Sequence, residues 1–203
     1  IPFATILTMV EVDPEDPGFK FPTKPVGPIL SDEQVMSEDW DIAETINGPR
    51  RVVASPSPKA ILDIDIIQSL IEKNAIVICC GGGGIPVINK DGHYVGVPAV
   101  IDKDRLSALL ATEMNVDALI ISTAIDAVRT GFGTPNEQTH DSMTVAQAKN
   151  HLASDEFPAG SMGPKVASAI EVVEALDNVK SIICQPGDAV KALRGVSGTT
   201  FVK

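Results

Sequence analysis

The chain has 203 residues, which suits one good-sized domain or a domain with an appendage. Apolar residues make up 44% and charged residues 21%, the balance of an ordinary globular protein, so a disordered polyelectrolyte is excluded. The formal net charge of −11, with no Lys/Arg cluster to offset it, and only 4% aromatics exclude a nucleic-acid partner and a stacking platform for single strands.

Residues 1–10 carry no initiator Met and no cationic leader, so a signal peptide is not expected. Their apolar, β-branched tone predicts a strand already under way, and the chain reads as a segment of something longer. Nine of the 15 prolines fall in the first 58 residues, and residues 13–58 are Pro-rich and acidic with little periodicity. Phe19, Phe21, Trp40, Ile42 and the strand-like Arg51-Val52-Val53-Ala54 argue for an ordered excursion rather than a loose linker.

From Ala60 onward the texture changes. Ile64, Ile67, Leu70 and Ile71 recur at helical spacing, and residues 75–80 form a short apolar run that ends in four glycines. A helix is predicted over 104–115, with Leu106, Leu109 and Leu110 on one face. There follow a strand at 118–122, a helix at 144–152, and a helix at 164–176 with Val166, Ala169, Ile170 and Val173 inward. A strand at 181–184, a helix at 187–193 and a strand at 199–202 complete the chain. Strands without alternation are buried on both faces, and here they alternate with helices. The expectation is an α/β fold with a mostly parallel sheet between helical layers. No apolar run approaches the roughly 20 residues that span a bilayer. Cys79, Cys80 and Cys184 read as small buried hydrophobes of a reducing compartment. Without a CxxC pair, and with three scattered histidines, no metal-ligating set is expected.

Four segments carry the chemistry. Cys79-Cys80-Gly81-Gly82-Gly83-Gly84-Ile85-Pro86-Val87 places a glycine run at a strand's carboxyl end, where backbone can approach a ligand and offer N–H groups to an anion. A tight turn alone would need only one or two glycines. The run matches neither GxGxxG nor GxxxxGK[ST]. Ala99-Val100-Ile101-Asp102-Lys103-Asp104 precedes a helix that Asp102 or Asp104 can cap, and Lys103 opposes the helix macrodipole there. In Gly160-Ser161-Met162-Gly163-Pro164-Lys165, Pro164 suits a first helical turn and Lys165 meets the same electrostatic conflict. Either these are two solvated lysines or both answer to one anion. Glycine-rich backbone, helix N-termini and lysines are the parts of a phosphoryl-transfer site. Pro22-Thr23-Lys24-Pro25-Val26-Gly27-Pro28 stiffens the backbone around Lys24, and Asp126 follows an apolar strand as a loop cap or a ligand.

These segments, with Val12-Asp13-Pro14 and Arg50-Arg51-Val52-Val53-Ala54-Ser55-Pro56, follow one another in an order that resembles the carbamate kinases of the amino-acid kinase fold family. The resemblance runs over essentially the whole chain. It implies a three-layer αβα sandwich in which residues 1–12 enter as a strand of the main domain. Residues 13–58 would form a small protruding subdomain and residues 59–203 the C-terminal nucleotide-binding part. It implies reversible transfer between ATP and carbamate, giving ADP and carbamoyl phosphate, with Mg2+. By the same resemblance Lys103 and Lys165 stabilise the phosphoryl group in flight, Asp104 orients them, and Lys24 approaches from the subdomain. Gly81, Gly82, Gly83 and Gly84 lie against the substrate, while Thr123, Asp126, Gly160, Ser161 and Met162 border the nucleotide. A cytoplasmic homodimer with small-molecule substrates, and neither nucleic acid nor membrane as partner, is implied as well.

Three departures stand out. The family's first glycine loops are expected upstream of Ile1, with part of the site. Ala124 stands where the family usually has Asp, and residues 44–49 lack the family's Asp-Ala-Gly-Arg-Gly character. The alternatives are another enzyme of this fold acting on a carboxylate or a nucleoside monophosphate, or a catalytically silent relative.

Overall fold

Strand β1 (Phe3–Thr5) runs parallel to β7 (Ile76–Ile78), with Ala4 opposite Val77. Between them in sequence come β2 (Met9–Val12), β3 (Lys24–Val26), α1 (Asp32–Ser37), β4 (Ile42–Thr45), β5 (Gly48–Val53), β6 (Pro58–Ile61) and α2 (Ile64–Glu72). After β7 come β8 (Ile85–Lys90), β9 (His93–Gly96) and α3 (Lys103–Glu113). The computed structural model describes residues 1–45, 47–158 and 160–203. Two compact units result, Ile1–Leu106 and Ser107–Lys203, the boundary falling within α3.

In the first unit a four-stranded sheet has the order β6-β2-β8-β9. Its central pair is parallel, with Val10 opposite Pro86, and both outer strands are antiparallel. Alternating Val10 and Val12 on β2 are fully buried, together with Ile61, Ile67 of α2, Ile101 and Leu106. The Asp91-Gly92 dipeptide turns β8 into β9 with positive φ at both residues (52° and 83°), the backbone a two-residue hairpin requires.

The Pro-rich excursion is built around an antiparallel sheet of order β3-β5-β4. Ser31 and Gln34 close a reciprocal capping box on α1, and the Arg51 guanidinium lies 4.8 Å over the Trp40 ring. At the departing tip, β4 ends at Thr45 and β5 starts at Gly48, and Ile46 lies outside the described residues.

Two expectations need correction. Not every apolar strand is buried: Phe3, Ile76 and Ile78 are 72%, 46% and 57% exposed. Among the described residues β1 and β7 pair only with each other; Phe3, Ile76 and Ile78 share the exposed face of the pair, while Ala4 and Val77 on the other face are half-buried and α2 packs against β7. Likewise Cys184 is buried, but Cys79 and Cys80 are half-buried, because β7 ends at Ile78 and both cysteines already stand on the loop beyond it.

The second unit comprises β10 (Ala118–Ser122), β11 (Val128–Thr130), β12 (Gln138–His140), β13 (Ser142–Thr144), α4 (Val145–Ala153), α5 (Met162–Ala175), β14 (Lys180–Cys184), α6 (Ala189–Leu193) and β15 (Thr199–Val202). Its main sheet has the order β10-β14-β15-β13, with β10–β14 and β13–β15 parallel and β14–β15 antiparallel. Ser181 to Cys184 are all buried, the signature of a strand covered on both faces. Phe201, Ile183, Met143, Val166, Ala169 and Val173 form the core between sheet and helix. Thr144 and Gln147 cap α4 reciprocally.

Candidate functional site

The glycine loop follows directly from β7. Cys80 takes the left-handed region (φ 59°), its N–H donates to Thr8 Oγ1 at 2.8 Å, and Gly81–Gly83 make one 3-10 turn. The four glycines do different work. A Cβ on Gly83 would fall 2.1 Å from the Ile101 carbonyl oxygen, and one on Gly84 would fall 2.5 Å from Val10 Cγ2. Both are required by close packing. At Gly81 and Gly82 a Cβ would meet nothing within 4 Å, so packing does not account for them. Gly82 takes φ 67°, a left-handed backbone that itself favours glycine, so Gly81 is the one that neither packing nor backbone requires. Open space beside the backbone of such a turn is where an anion can be received.

Because Gly83 sits on Ile101, the loop is held against the start of α3. There Asp102, not Asp104, is the cap: its Oδ1 accepts the N–H groups of Asp104 at 2.9 Å and Arg105 at 3.3 Å. Its other oxygen accepts the ammonium of Lys24, which arrives from β3 of the excursion. Burial opposes ionisation of Asp102, but Lys24 and the two backbone N–H groups outweigh it and hold the carboxyl below its ordinary value. Lys103 Nζ lies 3.4 Å from Asp104 Oδ2. The Lys103 side chain is 63% exposed while that of Asp104 is 8% exposed, so a solvent-facing cation stands on a buried carboxylate. The first unit therefore brings Lys24, Lys103, Asp104 and the glycine loop together around one helix N-terminus.

In the second unit a cleft of about 220 Å3 is lined by Thr123, Ile125, Phe132, Phe157, Ser161 and Met162, with Arg129, Glu156 and Pro158 completing it. Its walls are apolar and aromatic with a few convergent polar groups, the composition of a small-molecule site. Arg129 is aimed by carboxylates, Asp126 at 2.9 Å and Glu137 at 2.7 Å. Glu137 also accepts the Gly133 N–H, and Glu156 accepts the Gly131 N–H, so the loop after β11 is tied down at two points. The two carboxylates raise the guanidinium above its ordinary pKa, Glu137 most; Arg129 foremost depresses Asp126, and the Gly133 N–H, ahead of Arg129, depresses Glu137. Asp126 does not line the cleft but holds the arginine that does. Gly160 is exposed and faces open space, and Lys165, on the first turn of α5, is buried. A larger groove of about 490 Å3 runs between α4 and α5 past Leu152, Ile170 and Ala175. Only the Lys149–Glu174 surface pair and Glu171 give it polarity, and it holds none of the expected site residues.

Sequence reasoning missed Asp102 as the partner of Lys24, and Glu156 and Phe157 as walls of the cleft; the resemblance put residues 122–133 beside the nucleotide without singling out Arg129 or Phe132. The Asp102 signal was present in its cap spacing; the others carry no local pattern. Among the described residues no group of three His, Cys, Asp or Glu side chains could hold a metal ion.

The amino acid kinase family model matches residues 28–185. Carbamate kinase 2 of Staphylococcus aureus (strain Mu50 / ATCC 700699) is 45% identical over 201 residues, which cover 96% of this chain and 64% of that protein. Carbamate kinase from Giardia lamblia bound to citric acid superposes with a TM-score of 0.89 at 36% identity, over 98% of this chain and 64% of that one. The same enzyme bound to AMP-PNP gives 0.86 at 37% identity, over 98% and 65%. The chain thus spans 64% of the length of the curated relatives it matches.

Proposed function

The chain belongs to the amino acid kinase family, and from that premise we propose that it acts as a carbamate kinase-like phosphotransferase, moving a phosphoryl group reversibly between ATP and carbamate. The observation that carries the reading is the gathering of Lys24, Lys103 and Asp104 beside the glycine loop. It occurs in a chain 45% identical to a carbamate kinase over 96% of its length.

A carbamate carboxylate oxygen bonds to the γ-phosphorus of ATP as the bond to the β–γ bridging oxygen breaks. ADP leaves with that electron pair. The reverse reaction makes ATP from carbamoyl phosphate. Charge spreads over the three equatorial oxygens, so catalysis rests on alignment and charge compensation. We assign Lys103 and Lys165 to that compensation, Asp104 to orienting Lys103, and Lys24 to approach from residues 13–58. Gly81 and Gly82 supply backbone N–H groups to the substrate side. The cleft of Thr123, Ile125, Phe132, Phe157, Ser161 and Met162 takes the nucleotide. The Giardia relative holds AMP-PNP, which supports this choice of nucleotide. Magnesium, bound with the nucleotide, neutralises charge between phosphate oxygens, and we assign it no protein cage.

A cytoplasmic homodimer belongs to the same proposal, the cytoplasm supported by three cysteines outside any disulfide. No helix of the described residues is long and apolar enough to cross a membrane. The test is coupled ATP formation from ADP and carbamoyl phosphate with magnesium, with an amino-acid acyl phosphate and UDP run in parallel as phosphoryl donors. Turnover on carbamoyl phosphate is expected. Turnover on either competitor alone moves the chain to another enzyme of this fold, and absence of both turnover and ADP binding makes it a silent relative.

A further inference from the structure

Asp102 is where the Pro-rich excursion meets the body of the first unit. Lys24 and Asp102 are 78 residues apart in sequence, yet the ammonium donates to Asp102 Oδ2. The pair is partly buried, with side chains 27% and 10% exposed. The two oxygens of the carboxylate have separate tasks. Oδ1 caps α3 through Asp104 and Arg105, while Oδ2 takes Lys24. The residue just before the cap, Ile101, carries the carbonyl on which Gly83 rests. One side chain thus joins the helix that carries Lys103, the segment under the glycine loop, and the strand that brings Lys24.

We propose that Asp102 is a positioning residue for Lys24, tethering its ammonium over the N-terminus of α3 so that the excursion presents it to the transferring phosphoryl group. The inference rests on the phosphotransferase reading above. An ammonium has three N–H donors, so the tether uses one and leaves two for phosphoryl oxygens. The tether also removes freedom from a long flexible side chain. Misplacing a catalytic group by about 1 Å costs on the order of a hundredfold in rate. The Asp102 carboxyl stays ionised throughout the neutral range, so the tether does not depend on its protonation there.

Asp102→Asn separates the two tasks. Asparagine caps helices as well as aspartate does, so Oδ1 and the start of α3 are preserved while the charge facing Lys24 is removed. The first arm is amide hydrogen exchange of the wild type, Asp102→Asn and Lys24→Met. Faster exchange is expected across β3 and β5 in both variants, with α3 unchanged in each. Unchanged exchange in β3 would overturn the tether, whether or not the protein is a kinase. The second arm is a double-mutant cycle on kcat/KM for carbamoyl phosphate. Each single variant is expected to fall by on the order of a hundredfold, and the double variant no further than the worse single. ADP affinity should stay near wild type in all three. Additive losses would mean that Asp102 acts independently of Lys24 and would overturn the tether. An inactive wild type defeats the phosphotransferase reading alone, since the exchange arm still decides whether Asp102 holds Lys24.

Discussion

Gly83 lies against Ile101 so closely that a methyl group on its α-carbon would sit 2.1 Å from the Ile101 carbonyl oxygen. Its φ of 96° is also one that L side chains rarely adopt. We therefore expect Gly83→Ala to destabilise the fold by about 3 kcal/mol or more, combining backbone strain with the clash. Gly81→Ala meets open space and should stay within about 0.5 kcal/mol of wild type, while raising the KM for carbamoyl phosphate. Urea unfolding and steady-state kinetics on the two variants measure both. Equal midpoints for Gly83→Ala and wild type would remove the close-approach argument.

Lys165 is buried on the first turn of α5, where its charge opposes the helix dipole. Held there, its charge should matter most as the phosphoryl group changes oxygen. Lys165→Ala is expected to lower kcat by about 10²–10³, with ADP affinity changed only a few-fold. An unchanged kcat with a raised nucleotide KM would move Lys165 from catalysis to ground-state binding.

Arg129 lines the cleft proposed for the nucleotide, with its guanidinium held at Asp126 and Glu137. Arg129→Ala should weaken ADP binding about tenfold, the worth of a hydrogen bond to a charged group. Asp126→Asn should cost less, about twofold to threefold, since Asp126 is 53% exposed and Glu137 still orients the arginine. Calorimetric titration with ADP ranks the two. A larger effect at Asp126 would make that carboxylate itself the nucleotide contact.

Asp188 accepts hydrogen bonds from Lys191, Gln185 and Ser197, and Lys191 foremost depresses its carboxyl from the ordinary 3.8 to about 2. A carboxyl depressed by folding stabilises the folded state above its unfolded pKa and loses that contribution as pH falls through the folded one. Asp188→Asn should thus melt below wild type at neutral pH, and the difference should shrink below about pH 4 and close near pH 2. Melting temperatures across that range are the readout. A gap that does not vary with pH would assign the effect to lost hydrogen-bond geometry instead of charge.

The sequence by itself determined the elements whose evidence is local. β10 and β15 begin and end where apolar run and turn residues place them, and Ile67 and Val166 fall on the buried faces that helical spacing assigned. The glycine turn and the helix starts beside Lys103 and Lys165 were legible for the same reason, because glycine runs and cap spacing are short-range patterns. What only the tertiary structure decided is long-range. Asp102 and Asp104 were equal candidates for the cap until the fold gave Asp102 both the backbone N–H groups and Lys24. The four glycines looked alike in sequence, and only the approach of Ile101 and Val10 separates the two that packing requires from the two left open. Arg129, Phe132 and Phe157 form one wall because β11 and the chain before α5 meet in the fold, and no spacing along a chain encodes that meeting. Burial and partnership are properties of the folded neighbourhood, whereas periodicity records only how each element must face it.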